Sequence, residues 1–228
     1  MKWLSETNDS ELVMAYSRLL SFSADDIHAS WLDTLKINDY LKKYPIVTRK
    51  NISLNRLILS ELNISNSSSL VLNKPIDPLL LMTKHSLLKL LNLLGAIQFQ
   101  KDICHTILSA ELAYLKKDIG LEIYEFAINI ARLYSLPSLA NKKDIIQTFK
   151  TQPLKALQCA GAETLFKVIE KPDDIIFSYT KYKLPTHVAE YMSTKHIIEY
   201  NIGNKNEVRN KALKIAKDNR IECYHLLA

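Results

Sequence analysis

Glycine is the residue whose scarcity most constrains the fold of this chain. Four glycines occur among 228 residues, at positions 95, 120, 161 and 203. The tight hairpin turns of sheet proteins need positive φ angles, which glycine adopts most readily. Apolar residues make up 47% of the chain and charged residues 24%, as in ordinary globular proteins. We therefore predict an all-α fold, a compact multi-helix domain of about ten mostly short helices.

The boundaries of the helices are predicted from apolar periodicity and from capping residues. In the N-terminal region, helices are expected near residues 11–20, 24–35, 37–44 and 53–62. In the rest of the chain they are expected over residues 79–94, 97–108, 121–134, 142–150, 153–159, 163–170, 175–182, 185–200 and 204–226. Gly95 is interpreted as the end of the first of these, because glycine is favoured just after a helix C-terminus.

The core of the protein is predicted from the apolar residues that recur at helical spacing between residues 80 and 130. It is expected to contain Leu80, Leu87, Leu91, Leu94, Ile103, Ile107, Ile123, Phe126 and Ile130.

A low-complexity stretch, NISNSSS at residues 63–69, favours a loop, because Ser and Asn side chains compete for backbone hydrogen bonds. We predict a smaller N-terminal helical region at residues 1–75 and a main helical body with a basic C-terminal helix at residues 76–228. The alternative is one continuous domain. A short irregular or strand segment is predicted near residues 70–72.

The chain carries no recognisable catalytic, cofactor-binding or metal-binding motif. It contains no Gly-x-Ser-x-Gly elbow, no P-loop and no dinucleotide fingerprint, and its six histidines never pair three or four residues apart. Its three cysteines are far apart in the sequence, as is typical of proteins in a reducing compartment. We therefore expect no enzymatic activity, no cofactor, no metal and no small-molecule substrate.

The distribution of apolar residues predicts neither a signal peptide nor a membrane span. The N-terminus becomes polar directly after Leu4, and the most apolar stretch, residues 78–97, contains Lys84, His85 and Lys89. A transmembrane segment is therefore not expected, and the location is predicted to be cytoplasmic.

Two regions are candidate partner-binding surfaces. The first is the basic helix of residues 205–220, represented by Lys205, Arg209, Lys214 and Lys217, which suits an acidic partner. The second is the N-terminal region around Trp3 and Trp31, because interface hot spots are enriched in tryptophan. The alternative for both regions is that the lysines only aid solubility and the tryptophans belong to the core.

Residues 87–130 read LLKLLNLLGAIQFQKDICHTILSAELAYLKKDIGLEIYEFAINI. This leucine-rich helix, the Leu94-Gly95 pair and the amphipathic segments that follow resemble the middle of the SctK family, whose members include YscK, OrgA and MxiK. Residues 161–185 are similar to the late helix of that family and to its terminal Leu-Pro element, here Leu184-Pro185. The resemblance covers roughly residues 79–185.

The resemblance implies a non-enzymatic adaptor, or scaffold, in the cytoplasmic sorting platform of the bacterial type III secretion injectisome. Such proteins link the cytoplasmic domain of the inner-membrane ring protein to the C-ring-like pod protein. That role implies a cytoplasmic location, peripheral at the inner membrane through protein contacts. No individual binding residue follows from it. The runner-up function is a basic helical regulator that binds nucleic acid, which the net charge of +6 would suit.

Overall fold

A computed structural model describes residues 10–35, 52–64, 78–139, 142–167, 174–194 and 202–221. Within these ranges the chain forms thirteen α-helices and two 3-10 helices, and no strand. The predicted all-α fold is therefore confirmed. The predicted helix at 37–44 and the predicted irregular or strand segment near 70–72 lie outside the described residues.

The α-helices are of very unequal length, between four and seventeen residues. They are α1 (Ser10–Leu20), α2 (Ala29–Leu32), α3 (Ile52–Glu61), α4 (Pro78–Leu81), α5 (Lys84–Gln98), α6 (Gln100–His105), α7 (Ser109–Ile119), α8 (Leu121–Asn129), α9 (Lys142–Thr151), α10 (Pro153–Phe166), α11 (Asp174–Lys183), α12 (Thr186–Thr194) and α13 (Ile202–Asp218). The 3-10 helices are Ala24–Asp26 and Ala131–Leu133.

The described residues form two compact units, each assembled from separate stretches of the chain. The first unit contains the described residues up to Leu87 and those between 171 and 189. The second contains those between 88 and 170 and those between 190 and 224. The division at residue 75 stays a prediction.

In the first unit, two lysine side chains donate hydrogen bonds to backbone carbonyls of segments that are distant in the sequence. Lys183, which is buried, donates from Nζ to the carbonyl oxygens of Leu80 at 3.0 Å and Met82 at 2.9 Å. Lys84 donates in the same way to the carbonyls of Asp25 and Ile27. The carbonyls at the end of a helix have no partner within it, so such contacts satisfy them and join segments distant in sequence.

His28 caps the short helix α2 in the same unit. Its Nδ1 accepts from the backbone N–H of Ser30 at 3.2 Å and lies 2.8 Å from the Ser30 hydroxyl. The pKa of His28 is lowered, first by burial and then by the charge of Lys84. Both effects favour the neutral ring, whose unprotonated nitrogen is the form that can act as a cap.

The second unit contains a close helix crossing at two glycines. A Cβ placed on Gly95 in α5 would lie 2.6 Å from the carbonyl carbon of Leu157 in α10. A Cβ on Gly161 in α10 would lie 2.7 Å from the carbonyl carbon of Leu91 in α5. Each helix therefore presents a glycine to the backbone of the other, and the two backbones approach more closely than any side chain allows.

A polar cluster at the C-terminal end of α10 joins this helix to Tyr191 of α12. Lys167 and Glu163 form an ion pair at 2.5 Å, with side chains 2% and 3% exposed. The Tyr191 hydroxyl donates to the other oxygen of the Glu163 carboxylate, at 2.5 Å. The cluster therefore gives the buried carboxylate both a countercharge and a hydrogen bond, which burial of a charge requires.

Several sequence predictions are corrected by the structure. Gly95 does not end a helix, because α5 continues to Gln98, and α10 continues through the predicted break at residues 160–162. The predicted helix at 24–35 is a 3-10 turn followed by the short α2, and no helix was predicted where α7 lies.

The predicted core is correct at six of its nine positions, and two of the three departures have the same cause. Leu80, Leu87, Leu91, Leu94, Ile103 and Phe126 are buried. Ile107 is 83% exposed and Ile130 is 41% exposed, and Ile123 is half-buried. Helix α6 ends at His105 and α8 ends at Asn129, so the helical spacing that placed Ile107 and Ile130 inside does not extend to them.

Candidate partner-binding surface

Helix α13 has one buried face and one exposed cationic face. Val208, Ala212, Ile215 and Ala216 are buried, at the spacing of one face of a helix, and α13 packs against α10. The side chains of Lys214 and Lys217 are exposed on the other side. This apolar stripe is therefore the packing face of α13, and the cations point outward from it.

The predicted basic residues of α13 differ in their surroundings. Lys205 and Arg209 are half-buried, and both interact with neighbouring groups. The Lys214 ammonium lies 6.0 Å from the centre of the Tyr134 ring. Lys217 forms no ion pair with any residue in the described ranges.

The two acidic residues of α13 already interact with neighbouring groups in the same unit. Glu207 forms an ion pair with Lys211 at 2.5 Å. Asp218 accepts a hydrogen bond from the Tyr134 hydroxyl at 2.8 Å. Burial and, after it, the hydrogen bond to Asp218 together raise the pKa of Tyr134 to about 12, so the phenol remains a donor at neutral pH. The exposed cations of α13 are therefore incompletely balanced by acids on their own helix.

An apolar turn lies beside the C-terminal half of α13. Ile130 precedes the 3-10 helix Ala131–Leu133 and is 41% exposed, and Leu133 is its last residue and is 74% exposed. Residues three apart in a 3-10 turn lie on the same side, so the two side chains share a face. Tyr134 follows directly and contacts Lys214 and Asp218. Sequence reasoning missed this turn, because it assigned Ile130 to the core.

Trp31, the described member of the tryptophan pair, is held within the first unit. Its Nε1 donates to the carbonyl of Leu184 at 2.8 Å, and its ring meets the Tyr182 ring edge-on at 4.9 Å. The Lys181 ammonium lies 5.6 Å from the ring centre. Trp31 is half-buried, so part of its surface remains accessible. Trp3 lies outside the described residues.

The described residues offer no group of three or more His, Cys, Asp or Glu side chains placed to hold a metal ion. Cys159 is buried, and burial raises the pKa of its thiol to about 11, against a smaller opposite effect of Lys155. The thiol is therefore protonated at neutral pH and is a poor nucleophile. In the part of the chain that the structure describes, no helix combines the length and apolar character needed to span a membrane.

A family model described as "YOP proteins translocation protein K (YscK)" matches residues 13–228. The chain belongs to this family. It is therefore a protein of the type III secretion apparatus, and the resemblance stated from sequence is confirmed. Comparison with curated proteins and with solved structures gives no match.

The YscK match extends well beyond residues 79–185, on which the sequence resemblance rested. It includes Trp31, the apolar turn and the whole of α13, but not Trp3. The candidate surface on α13 is therefore part of the family region and not an appendage to it.

Proposed function

We propose that this YscK-family protein is a non-enzymatic adaptor of the sorting platform, which links the cytoplasmic domain of the inner-membrane ring protein to the pod protein. An adaptor between two proteins needs two separate surfaces. The basic face of α13 and the region around Trp31 are chemically different, and each lies in its own unit. In this role the protein is cytoplasmic and reaches the inner membrane through protein contacts.

The observation that carries the proposal is the exposed, incompletely balanced charge of α13. Lys214 and Lys217 point away from the packing face, while Glu207 and Asp218 are engaged with Lys211 and Tyr134. Such a face attracts an acidic protein surface over a distance and accelerates encounter. The role of Lys205 and Arg209 is expected to be smaller, because they are half-buried and already interact within the protein.

The test is charge reversal on α13. The double variant Lys214→Glu/Lys217→Glu should bind one of the two purified partners about ten-fold more weakly, because attraction becomes repulsion, and should bind the other normally. Titration against each partner at low and high salt measures this, and the loss should shrink as salt rises.

The matched control is Lys143→Glu/Lys150→Glu. These lysines are exposed on α9 in the same unit, so the variant has the same net charge but a different distribution. Normal binding of both partners by the α13 variant would refute a role for the basic face. Equal losses in the two variants would show only an effect of net charge.

A further inference from the structure

We propose that the apolar turn and the basic face of α13 form one composite docking surface for an acidic, amphipathic segment of a protein partner. The surface consists of Ile130, Leu133, Tyr134, Lys214 and Lys217. The inference rests on the proposed function and deepens it, because it states the chemistry of the segment that binds.

The first argument is that the turn is fixed to α13. The Tyr134 hydroxyl donates to Asp218 at 2.8 Å, and Lys211 Nζ donates to the carbonyl of Ser135 at 2.6 Å. These two bonds join α13 to consecutive residues directly after the turn. The apolar and the cationic side chains therefore belong to one pre-organised surface, which lowers the entropic cost of binding.

The second argument is the exposure of the apolar side chains. Leu133 is 74% exposed at the end of a 3-10 turn, where it covers no core. Ile130 lies on the same face of the turn. Removing such side chains from water on binding is favourable in proportion to the apolar area covered. A turn that presents two of them together is suited to contact with apolar side chains of a partner.

The third argument is charge complementarity, which indicates what kind of partner segment binds this surface. The turn carries exposed Arg132, and Lys214 and Lys217 lie on the adjoining helix. Asp218 lies beside these cations, and its carboxylate already accepts a hydrogen bond from the Tyr134 hydroxyl. A complementary segment therefore presents large apolar side chains flanked by Asp or Glu. A nucleic acid would satisfy the cations but would leave Leu133 without an apolar partner.

The test uses the full chain with the purified ring-protein domain and the purified pod protein. Leu133→Ser should weaken binding of the same partner that Lys214→Glu/Lys217→Glu affects, by about ten-fold. The loss for Leu133→Ser should persist at high salt, whereas the loss for the charge reversal should diminish. Leu121→Ser is the control, because Leu121 is 59% exposed on α8 in the same unit.

The outcomes separate this inference from the proposed function. If the charge reversal on α13 and Leu133→Ser both weaken binding of the same partner, and Leu121→Ser binds normally, the composite surface is supported. If the charge reversal alone weakens binding, or if the two variants weaken binding of different partners, the composite surface is overturned but the adaptor role is left intact. Tight, salt-sensitive binding of a DNA duplex that competes with the protein partner also overturns it. Failure of the unmodified chain to bind either protein refutes the proposed function itself, and with it the occupant inferred here.

Discussion

Substitution of Gly95 by alanine tests the helix crossing most directly. A Cβ at this position would lie 2.6 Å from the carbonyl carbon and 2.7 Å from the Cα of Leu157. These atoms are backbone, so no rotamer change can relieve the contact. Ordinary van der Waals contact begins at 3.4 Å, and the carbonyl oxygen of Leu157 lies closer still than these two carbons. Helices α5 and α10 would therefore have to separate by about 1 Å at their crossing.

The expected magnitude is the balance of two opposing effects. Alanine favours a helix over glycine by about 1 kcal/mol, which stabilises the variant. Overpacking of a filled core costs about 1–3 kcal/mol, and backbone atoms that cannot move aside place this site at the upper end. We therefore expect Gly95→Ala to lower the free energy of unfolding by about 2 kcal/mol.

Urea denaturation followed by circular dichroism at 222 nm (the α-helical signal) measures this change. Ala113→Gly, at an exposed position of α7, is the control and should destabilise by about 1 kcal/mol through helix propensity alone. Gly161→Ala should behave like Gly95→Ala, and the double variant should lose less than the sum, since the first methyl group already separates the helices. If Gly95→Ala were more stable than the unmodified protein, the close crossing would be wrong.

Two further predictions concern buried and titratable groups. Lys167→Met should destabilise the protein by about 3–5 kcal/mol, because it removes the Lys167 charge from the buried Glu163 carboxylate. Glu163→Gln/Lys167→Met should recover most of that loss in the same urea assay. If Lys167→Met were as stable as Glu163→Gln/Lys167→Met, a cost from the unbalanced Glu163 charge would be contradicted. The pKa of His28 is lowered from 6.5 by burial and by Lys84, so the folded state binds fewer protons than the unfolded state. The contribution of neutral His28 to the free energy of unfolding should be complete above pH 6.5. It should be lost as the pH falls through the pKa that His28 has in the folded protein. In thermal melts across this range His28→Asn, which keeps a capping acceptor, should reduce the pH dependence, and an unchanged slope would refute the role of His28.

The existence of the helices was predictable from the sequence, but some of their ends were not. Leu87, Leu91 and Leu94 recur at helical spacing and are buried as expected. Gly95 was interpreted as a helix end, because glycine has that role often. Its actual role depends on Leu157 in a helix 62 residues later, and the backbone contact between the two helices leaves no periodic signal in either of them.

The candidate surface was predictable to a similar degree. The charges of Lys214 and Lys217 and the apolar stripe of α13 follow from a single helical pattern. The turn beside them depends on the hydrogen bond between Tyr134 and Asp218, which lie 84 residues apart. The assignment of Ile130 to the core was wrong because α8 gives way to a 3-10 turn, and this change leaves the side chains of Ile130 and Leu133 exposed. Periodicity within one segment contains no information about such contacts.

The packing of α13 against α10 distinguishes it from basic helices that bind a membrane or a groove through their apolar face. Every residue of α10 from Ala156 to Leu165 is buried, and α13 packs against α10 through its own buried face. Basic amphipathic helices that insert into a membrane or a groove use their apolar face for that contact. In this protein that face of α13 is already covered within the second unit, so of this helix it is the cationic side, with the apolar turn fixed to it, that is exposed. If α13 binds a partner as proposed above, the surface is formed before binding, and the partner supplies the acidic and apolar complement.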